Sequence, residues 1–369
     1  MSKEIISDKQ GITMMAMFIM GSTLILGAGG EAKQDVWIAI LLAIAFAIPA
    51  LFVYSRLLSL YPGKDLFDIL EIIFGKIISK FIQILFIWYA FHLGALVIRN
   101  FTEFIRIVAM PETPPFITNI FLGIVCILAI KDGIEVLGRV TTFILPILIT
   151  IILFVVLLST SDIQLSNLKP VLYDGFKPVL KGAFSTFSFP LAETVVFTMV
   201  YSSLKSKGSS YKVYYLGLLI GSLLMVIVSV RNLLVLGPET ASILYFPSYS
   251  AVSVVNIGEI LQRIEVTVAV VFLFAGFTKV SICMYAATNG IVKTFNLGDY
   301  RNMVAPVGLL MVLLTRIIYE NAMEMVEWAK YVYPYYAIPF QIILPIVILI
   351  VAEVRIRSRK QGIASRDIE

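Results

Sequence analysis

Two charged residues lie inside long apolar stretches of this 369-residue chain, where charged side chains are rare. Glu193 follows Pro190 by three residues in the stretch 183–197, and Lys279 lies in the middle of the stretch 274–281. A carboxylate at bilayer depth costs about 2.5–3.5 kcal/mol even on the mildest scale. Proline lacks a backbone N–H, and its ring clashes with the carbonyl of Thr186. An interrupted helix with an acid at the break predicts a binding site within a membrane.

Three roles for Glu193 follow from its position just inside the half-helix that Pro190 begins, where the positive end of the helix dipole favours an anion. The carboxylate can bind a cationic group of a ligand, carry a proton, or hold a gate shut through a partner. We predict that Glu193 and Lys279, or polar groups next to them, are coupled, since both should face protein or water. The alternative for Lys279 is that its side chain reaches along the helix to the membrane surface.

A second break lies in the first apolar stretch, at Gly21, Ser22 and Thr23. Glycine weakens a helix interior, and the two hydroxyls can accept from freed N–H groups and begin a second half-helix. Those N–H groups suit a carboxylate. Carbonyls freed near Phe189 suit an ammonium, so a zwitterionic amino acid would meet both. The alternative is that Pro190 only kinks its helix and the glycines only allow close packing.

Further polar residues within the apolar stretches complete the candidate site. Helical spacing puts Tyr89, His92 and Leu93 on one face, and Thr278, Ser281 and Tyr285 on another. These residues either line the pocket or pack in the core. Farther along, we expect Arg99, Glu103 and Arg106 to pair with one another or to line an outer vestibule. Four closely spaced tyrosines fit an interfacial aromatic belt: Tyr331, Tyr333, Tyr335 and Tyr336.

No catalytic arrangement is visible in the sequence. Cys126 and Cys283 both fall in apolar stretches and are predicted to be packing residues. His92 is the only histidine, and neither a metal-spaced cluster, a P-loop nor a Rossmann glycine run is present. We therefore expect a protein that is not an enzyme and that holds no metal or cofactor.

The composition identifies the elements that must position these residues. The chain is 59% hydrophobic and 14% charged, with a mean hydropathy of +0.93, which indicates an all-α polytopic membrane protein and excludes a soluble domain. Continuous apolar runs exclude an outer-membrane barrel. About ten spans are predicted, at 11–30, 36–58, 77–107, 114–131, 140–160, 182–201, 211–236, 259–294, 303–318 and 335–355.

The predicted organisation is one integral membrane domain, at 11–357, between a cytoplasmic segment at 1–10 and a cytoplasmic tail at 358–369. With the N-terminus inside, 18 Lys and Arg residues fall in inside segments and 7 in outside segments, so both termini are predicted to be cytoplasmic. The net charge of +5 fits this topology bias better than nucleic-acid binding. Five spans per half put a broken helix first in each half, a pattern typical of an inverted-repeat carrier with repeats at about 11–160 and 182–355.

In six stretches between residues 20 and 265, the chain resembles the B-subunit family of spore germinant receptors. This family belongs to the amino acid–polyamine–organocation (APC) transporter superfamily. Thr23 replaces the second glycine of the superfamily's first-span signature, and Leu191 and Ala192 replace Phe and Gly of the family's Phe-Pro-Phe-Gly-Glu motif. The stretches that carry the resemblance are Met20-Gly21-Ser22-Thr23-Leu24-Ile25, Gln34-Asp35-Val36-Trp37, Met110-Pro111-Glu112-Thr113-Pro114, Gly133-Ile134-Glu135-Val136-Leu137-Gly138-Arg139, Phe189-Pro190-Leu191-Ala192-Glu193, and Gly237-Pro238-Glu239 with Phe246-Pro247 and Arg263-Ile264-Glu265.

The resemblance implies a LeuT-type fold of ten spans in the inner membrane of a bacterial endospore. It implies a sensor of a small nutrient, commonly an amino acid, that triggers germination together with a membrane A subunit and a lipoprotein C subunit. In this fold the eighth span faces the central cavity beside spans one, three and six. The main alternative is an APC-type amino-acid transporter, proton-coupled through Glu193 or Lys279. A membrane enzyme acting on lipid is a third, weakly supported reading.

Overall fold

The structure is a computed structural model that describes residues 4–204, 208–255 and 263–364. Some predicted features lie outside these residues. They are the ends of both terminal segments, the inside residues Lys205 and Lys207, and the start of the eighth span at 259–262. Ten membrane crossings follow one another along the described chain. Their helical segments are Asp8–Met20 with Thr23–Leu26 (span 1), Val36–Leu60 (span 2), Leu66–Val108 (span 3), Pro115–Asp132 (span 4), Ile134–Leu158 (span 5), Phe176–Thr186 with Phe187–Leu191, Ala192–Met199 and Tyr201–Ser203 (span 6), Ser209–Leu236 (span 7), Glu265–Phe295 (span 8), Tyr300–Ile318 (span 9), and Tyr333–Ile338 with Pro339–Ile343 and Leu344–Ala364 (span 10).

Nine helices in the described part of the chain are long and apolar enough to cross a membrane, and the broken span 6 makes the tenth crossing. Short helices join the spans, and most of them cluster at one end of the molecule. They are Gly30–Asp35, Ser159–Asp162, Leu165–Leu168, Pro238–Ile243, Pro247–Ser253 and Ala322–Tyr331. Large apolar side chains such as Leu41, Phe143 and Leu313 point outward from the bundle, as expected of a surface that faces lipid.

Both predicted helix breaks are confirmed. Span 1 stops at Met20, turns at Gly21 (φ 2°, ψ −115°) and resumes at Thr23. In span 6 a wide helical turn at Phe187–Leu191 contains Phe189 in an extended conformation (φ −135°, ψ 109°), just before Pro190. The broken helices are therefore the first of each group of five spans.

Several span boundaries differ from the prediction, and three of these differences involve glycines with positive φ. Span 3 carries a further helical segment before the predicted start near 77. Asp65 caps this segment, and Gly75 (φ 73°, ψ 179°) leaves helical geometry and kinks the chain between it and the rest of the span. Span 1 ends at Leu26 rather than near 30, because Gly27 adopts φ 78°. Span 5 begins directly after Gly133 (φ 114°), six residues earlier than predicted. Glycine tolerates positive φ, so each of these residues bends the chain or marks a helix end.

The packing order places span 8 at the centre. It lies along span 3 and also contacts spans 1, 4, 5 and 9. Span 1 packs against span 7, and span 2 packs against both span 7 and the first segment of span 6. A single large core joins most of these spans, so the two broken helices lie inside the bundle.

Two faces of the bundle are defined by ion pairs and hydrogen bonds between loops. The termini face contains residues 4–8, 61–65, 131–133, 208–212 and 296–301, tied for example by Glu4 to Arg301 and by Asp8 to Lys212 (3.4 Å). The opposite face contains residues 27–35, 109–114, 161–175, 237–247 and 319–332. There Lys33 pairs with Glu239 at 2.9 Å, and the Asp35 carboxylate accepts from the backbone N–H of Leu172 at 3.0 Å.

Candidate functional site

A fully buried ion pair joins span 6 to span 8. The Nζ of Lys279 donates to the Glu193 carboxylate, and both side chains are 0% exposed. Glu193 is the second residue of the segment Ala192–Met199, directly after the break at Phe189, so the break sets where its carboxylate points. Two ionised groups removed from water stabilise each other only when they are well paired. Lys279 therefore does not reach for the membrane surface but supplies the counter-charge of Glu193.

A chain of hydrogen bonds extends this pair into spans 3 and 10. The Tyr333 hydroxyl donates to the other oxygen of Glu193 and lies 3.3 Å from the hydroxyl of Tyr89. Tyr89 accepts from the amide of Gln341 at 2.9 Å, and the same amide donates to the carbonyl of Ser188 at 2.8 Å. The broken turn of span 6 is therefore held from both sides, through its carboxylate and through a backbone carbonyl that the break has freed.

The Lys279 ammonium also lies over two aromatic rings, at 4.9 Å from the centre of Phe18 and 4.7 Å from the centre of Phe189. Its methylene chain passes against the break of span 1. A Cβ added to Gly21 would lie 2.6 Å from Cδ of Lys279 and 2.8 Å from the Phe18 carbonyl oxygen. The absence of a side chain at Gly21 thus lets the lysine reach Glu193, and the two helix breaks meet at this one cation.

A cavity of about 140 Å³ opens above the pair on the side of the opposite face. Phe189 lies at its lining and is only partly buried, so its ring separates the cavity from the ammonium of Lys279. Most polar side chains that line this cavity are neutral amides and hydroxyls, and the charged side chains lie at its rim. These residues are Asn100, Ser185, Ser229, Asn232 and Ser242 for the neutral part, and Glu31, Lys33 and Lys330 for the rim.

On the termini face, the way to the pair is closed by a second polar cluster. Asp65 accepts from Lys293 at 2.6 Å and from Asn289 at 3.0 Å, and Asn289 also lies 3.4 Å from the carbonyl of Met199. Burial raises the pKa of the Asp65 carboxyl, while the Lys293 ammonium opposes that shift. The cluster ties the ends of spans 6 and 8 to the start of span 3. This structure is therefore closed toward the termini face and hollow toward the opposite face.

The structure brings several of the predicted site residues together around the two breaks. Lys279 contacts Glu193 and Phe189 and passes against Gly21, and Tyr89 joins this cluster through Tyr333. Pro190 is buried in the turn of span 6. The hydroxyls of Ser22 and Thr23 are buried and have no hydrogen-bond partner in the described part of the chain. The expectation that Ser22 caps the second half-helix is wrong, because its side chain makes no capping bond there.

The other predicted residues lie outside this cluster. His92 stacks on Trp88 (ring centres 5.3 Å apart) and meets Trp328 and Tyr336 edge-on, and Leu93 is a core residue with 2% exposure. In span 8, the Thr278 hydroxyl donates to the carbonyl of Phe274 within its own helix. Ser281 is fully buried, and Tyr285 packs edge-on against Tyr300 near the termini face.

The predicted pairing of the charges at the end of span 3 is confirmed. Glu103 is fully buried and lies 2.8 Å from Arg99 and 2.7 Å from Arg106. Arg99 also donates to the carbonyl of Thr315 in span 9 at 3.2 Å. These contacts fix span 3 to span 9 near the opposite face.

Tyr333 and Gln341 were missed as site residues. The prediction that Tyr333 belongs to an interfacial belt is wrong, because the short helix Tyr333–Ile338 turns its side chain inward, to 3% exposure, while Tyr331 and Tyr335 stay exposed. Gln341 lies in a wide helical turn after Pro339. The sequence did carry a signal for Gln341, because it is a polar residue close to a proline (Pro339) in an apolar run. Glu193 lies close to Pro190 in span 6 in the same way.

Known proteins resemble this chain both in sequence and in fold. A family model described as "Spore germination protein" matches residues 5–324. Spore germination protein KB of Bacillus subtilis (strain 168) is 30% identical over 366 residues, which cover 98% of each chain. Spore germination protein A2 of the same organism is 27% identical over 305 residues, covering 80% of this chain and 82% of that one.

Among solved structures, Mhp1, a nucleobase-cation-symport-1 family transporter in a closed conformation with bromovinylhydantoin bound, matches with a TM-score of 0.69 at 12% identity. The match covers 94% of this chain and 78% of that one. MhsT in complex with L-phenylalanine matches with a TM-score of 0.60 at 12% identity, covering 92% of this chain and 97% of that one. At these identities the likeness concerns the fold alone, and the expected LeuT-type, APC-like architecture is confirmed.

Proposed function

The chain belongs to the family of spore germination proteins, and from that premise we propose that it is the B subunit of a spore germinant receptor. It senses a small nutrient, an amino acid in the first instance, at the junction of the two broken helices. The observation that carries this proposal is the buried Glu193–Lys279 pair at that junction, below a cavity of amino-acid size.

The pair offers both charges that a zwitterionic ligand needs. A ligand ammonium can replace Lys279 as the partner of Glu193, and a ligand carboxylate can replace Glu193 as the partner of Lys279. Breaking a buried pair without replacement leaves an uncompensated charge and costs about 3–5 kcal/mol. A molecule that carries only one of the two charges would leave one partner unpaired, so we expect selection for zwitterions.

The ligand would act by moving elements that the pair now holds. Glu193 is fixed by spans 8 and 10, and Phe189 stands between the cavity and the ammonium. A ligand that enters past Phe189 and separates Glu193 from Lys279 frees the broken turn of span 6. Because a ligand shifts a conformational equilibrium only by its difference in affinity for the two states, the signal requires that the separated state bind it better.

The setting of this sensor is part of the proposal. We place the integral membrane protein in the inner membrane of the spore with both termini cytoplasmic, at 1–10 and 358–369, around one membrane domain. A membrane A subunit and a lipoprotein C subunit would read the movement of span 6. Support comes from the family and from the distribution of Lys and Arg along the chain.

The test is a nutrient screen on spores that lack this chain and on spores that carry variants of it. We expect deletion to abolish the response to one class of nutrient and Glu193→Gln to reproduce that loss. Glu320→Gln, at an exposed position, is the matched control and should respond as the wild type does. Purified protein should bind the same nutrient, with the affinity lowered in Glu193→Gln.

The fold also suits an amino-acid carrier, and reconstitution separates the two functions. A receptor subunit should bind the nutrient in proteoliposomes without accumulating it, and its effect in spores should depend on an A-type partner. Accumulation of labelled amino acid by this chain alone, together with unimpaired germination of the deletion strain on every nutrient, would replace the receptor proposal by transport.

A further inference from the structure

A buried arginine in span 7 has no counter-charge among the residues that the structure describes. Arg231 is 4% exposed, and its Nε and Nη1 atoms have no hydrogen-bond partner in the described part of the chain. No carboxylate among the residues 4–204, 208–255 and 263–364 forms an ion pair with it. A guanidinium keeps its charge in proteins. A charge buried without a partner is strongly unfavourable, so this position calls for an anion.

Arg231 borders a separate cavity of about 30 Å³ near the opposite face. The walls come from the second half-helix of span 1 and from spans 5, 7 and 8, and they are otherwise mostly aliphatic. The lining residues include Leu24, Ile152, Val155, Val228 and Val271. This cavity shares no lining residue with the large cavity above Glu193. The hydrogen bond from Asn232 to Ser248 (2.9 Å) joins the walls of the two.

The hydroxyl groups of this small cavity already donate their hydrogens to backbone carbonyls. The Ser248 hydroxyl donates to the Leu24 carbonyl and accepts from Asn232, and the Thr267 hydroxyl donates to the carbonyl of Ile264 at 2.6 Å. Among the described residues, the free hydrogen-bond donors at this cavity are therefore the Nε and Nη1 groups of Arg231. A water molecule can accept from these donors as well, but only an anion also balances the charge of the guanidinium.

We propose that Arg231 binds a small monovalent anion in this cavity, a halide or a carboxylate group of formate size. The cavity of about 30 Å³ has room for a small ion, because about 10–15 Å³ of such volume already holds a water molecule. The site is independent of the nutrient pocket around Glu193, so it stands or falls separately from the proposed receptor function.

The experiment compares the Tm of the purified full-length protein in sodium bromide, chloride, formate and gluconate at one ionic strength. We expect bromide and chloride to raise Tm saturably over gluconate, by about 2 °C or more. Bromide is informative because it generally lowers the stability of proteins, so a rise in Tm in bromide indicates binding at a specific site. Stabilisation by formate as well would identify a carboxylate group as an occupant, and stabilisation by halides alone an inorganic ion. A Tm that is the same in bromide, chloride and formate as in gluconate overturns the proposal.

Arg231→Gln tests the residue. This variant should lose the halide dependence and be at least as stable as the wild type in gluconate, because it no longer buries an unpaired charge. Arg139→Gln is the control: its guanidinium is 70% exposed and pairs with Glu135, so the halide dependence should remain. An unchanged halide response in Arg231→Gln overturns the proposal. If that variant does not fold, anomalous scattering from crystals of wild-type protein in bromide decides: a peak at hydrogen-bonding distance from Arg231 supports the site, and its absence at saturating bromide refutes it.

Discussion

Glu193 and Lys279 show how single residues set the energetics of the core. Each is an expensive group alone, and each is tolerated because the other is in contact with it. The Tyr333 hydroxyl and the rings of Phe18 and Phe189 complete their surroundings. The two charges are therefore tolerated in the core while they are paired. Removing only one of them leaves the other buried without a partner, which strongly lowers the stability of the fold.

A double-mutant cycle on purified protein measures this dependence. Glu193→Gln and Lys279→Met each leave one buried charge unpaired, and we expect each to lower the free energy of unfolding by about 3–5 kcal/mol. The double variant removes both charges, and its loss should be far smaller than the sum of the single losses. Thermal unfolding of the four proteins in one detergent is the measurement. Additive losses would show that the two side chains do not interact.

Tyr333 should contribute through its hydroxyl alone. Tyr333→Phe keeps the ring and removes the hydrogen bond to the Glu193 carboxylate, and a bond to a charged group contributes about 1.5–3 kcal/mol. We expect a loss of stability in this range, measured by thermal unfolding, and a higher nutrient affinity because Glu193 is held less firmly. Tyr335→Phe, at an exposed tyrosine two residues away, should change neither quantity. Equal behaviour of the two variants would contradict the role of the Tyr333 hydroxyl.

Sequence reasoning identified the charged members of the site but not their neutral partners. Glu193 and Lys279 stood out because ionised residues in apolar runs must have partners. Tyr333 did not stand out, since a tyrosine near a span end fits an interfacial belt equally well. Tyr331 and Tyr335, each two residues away from Tyr333, are exposed, whereas Tyr333 points inward. The direction of the Tyr333 side chain is set by the helix Tyr333–Ile338, which the sequence pattern does not reveal.

Among the elements, the broken helices were the most predictable and the helix ends the least. Gly21–Thr23 and Ser188–Pro190 carry the residue types that interrupt helices, and the structure breaks at both. The start of span 3 was placed eleven residues late. The missed segment precedes Gly75, which leaves helical geometry (φ 73°, ψ 179°) and kinks the chain there. A sequence shows where a helix can stop, whereas tertiary packing decides whether it does.

The break in span 1 depends on Gly21 being a glycine. In Gly21→Ala the new methyl group would lie 2.6 Å from the Lys279 side chain and 2.8 Å from the Phe18 carbonyl, so the lysine must move away from Glu193. We expect a loss of about 1–3 kcal/mol in stability from overpacking, and a weakened nutrient response. Gly208→Ala is the control, because open space surrounds that glycine. Calorimetry and the germination assay report the two effects; a stable, fully responsive Gly21→Ala protein would contradict this account of the break.

At the scale of the whole molecule, the bundle is asymmetric across the membrane. The termini face is closed by the Asp65–Lys293–Asn289 cluster, and the cavity above Phe189 lies toward the opposite face. A nutrient that arrives from outside the spore core would therefore meet the hollow side, provided that the termini are cytoplasmic. The orientation of the protein in the membrane thus decides from which side a ligand can reach the cavity in this conformation.

This orientation can be measured with single cysteines, because the two native thiols, Cys126 and Cys283, are buried and should stay unreactive. Ser161 is exposed on the opposite face and Lys131 on the termini face. In intact cells that express the protein, a membrane-impermeant thiol reagent should label Ser161→Cys directly and Lys131→Cys only after permeabilisation. The reverse pattern would put the termini outside, turn the hollow side toward the cytoplasm, and require the nutrient to enter from within. Because both faces are probed in the same fold, the comparison tests orientation without depending on which nutrient the protein senses.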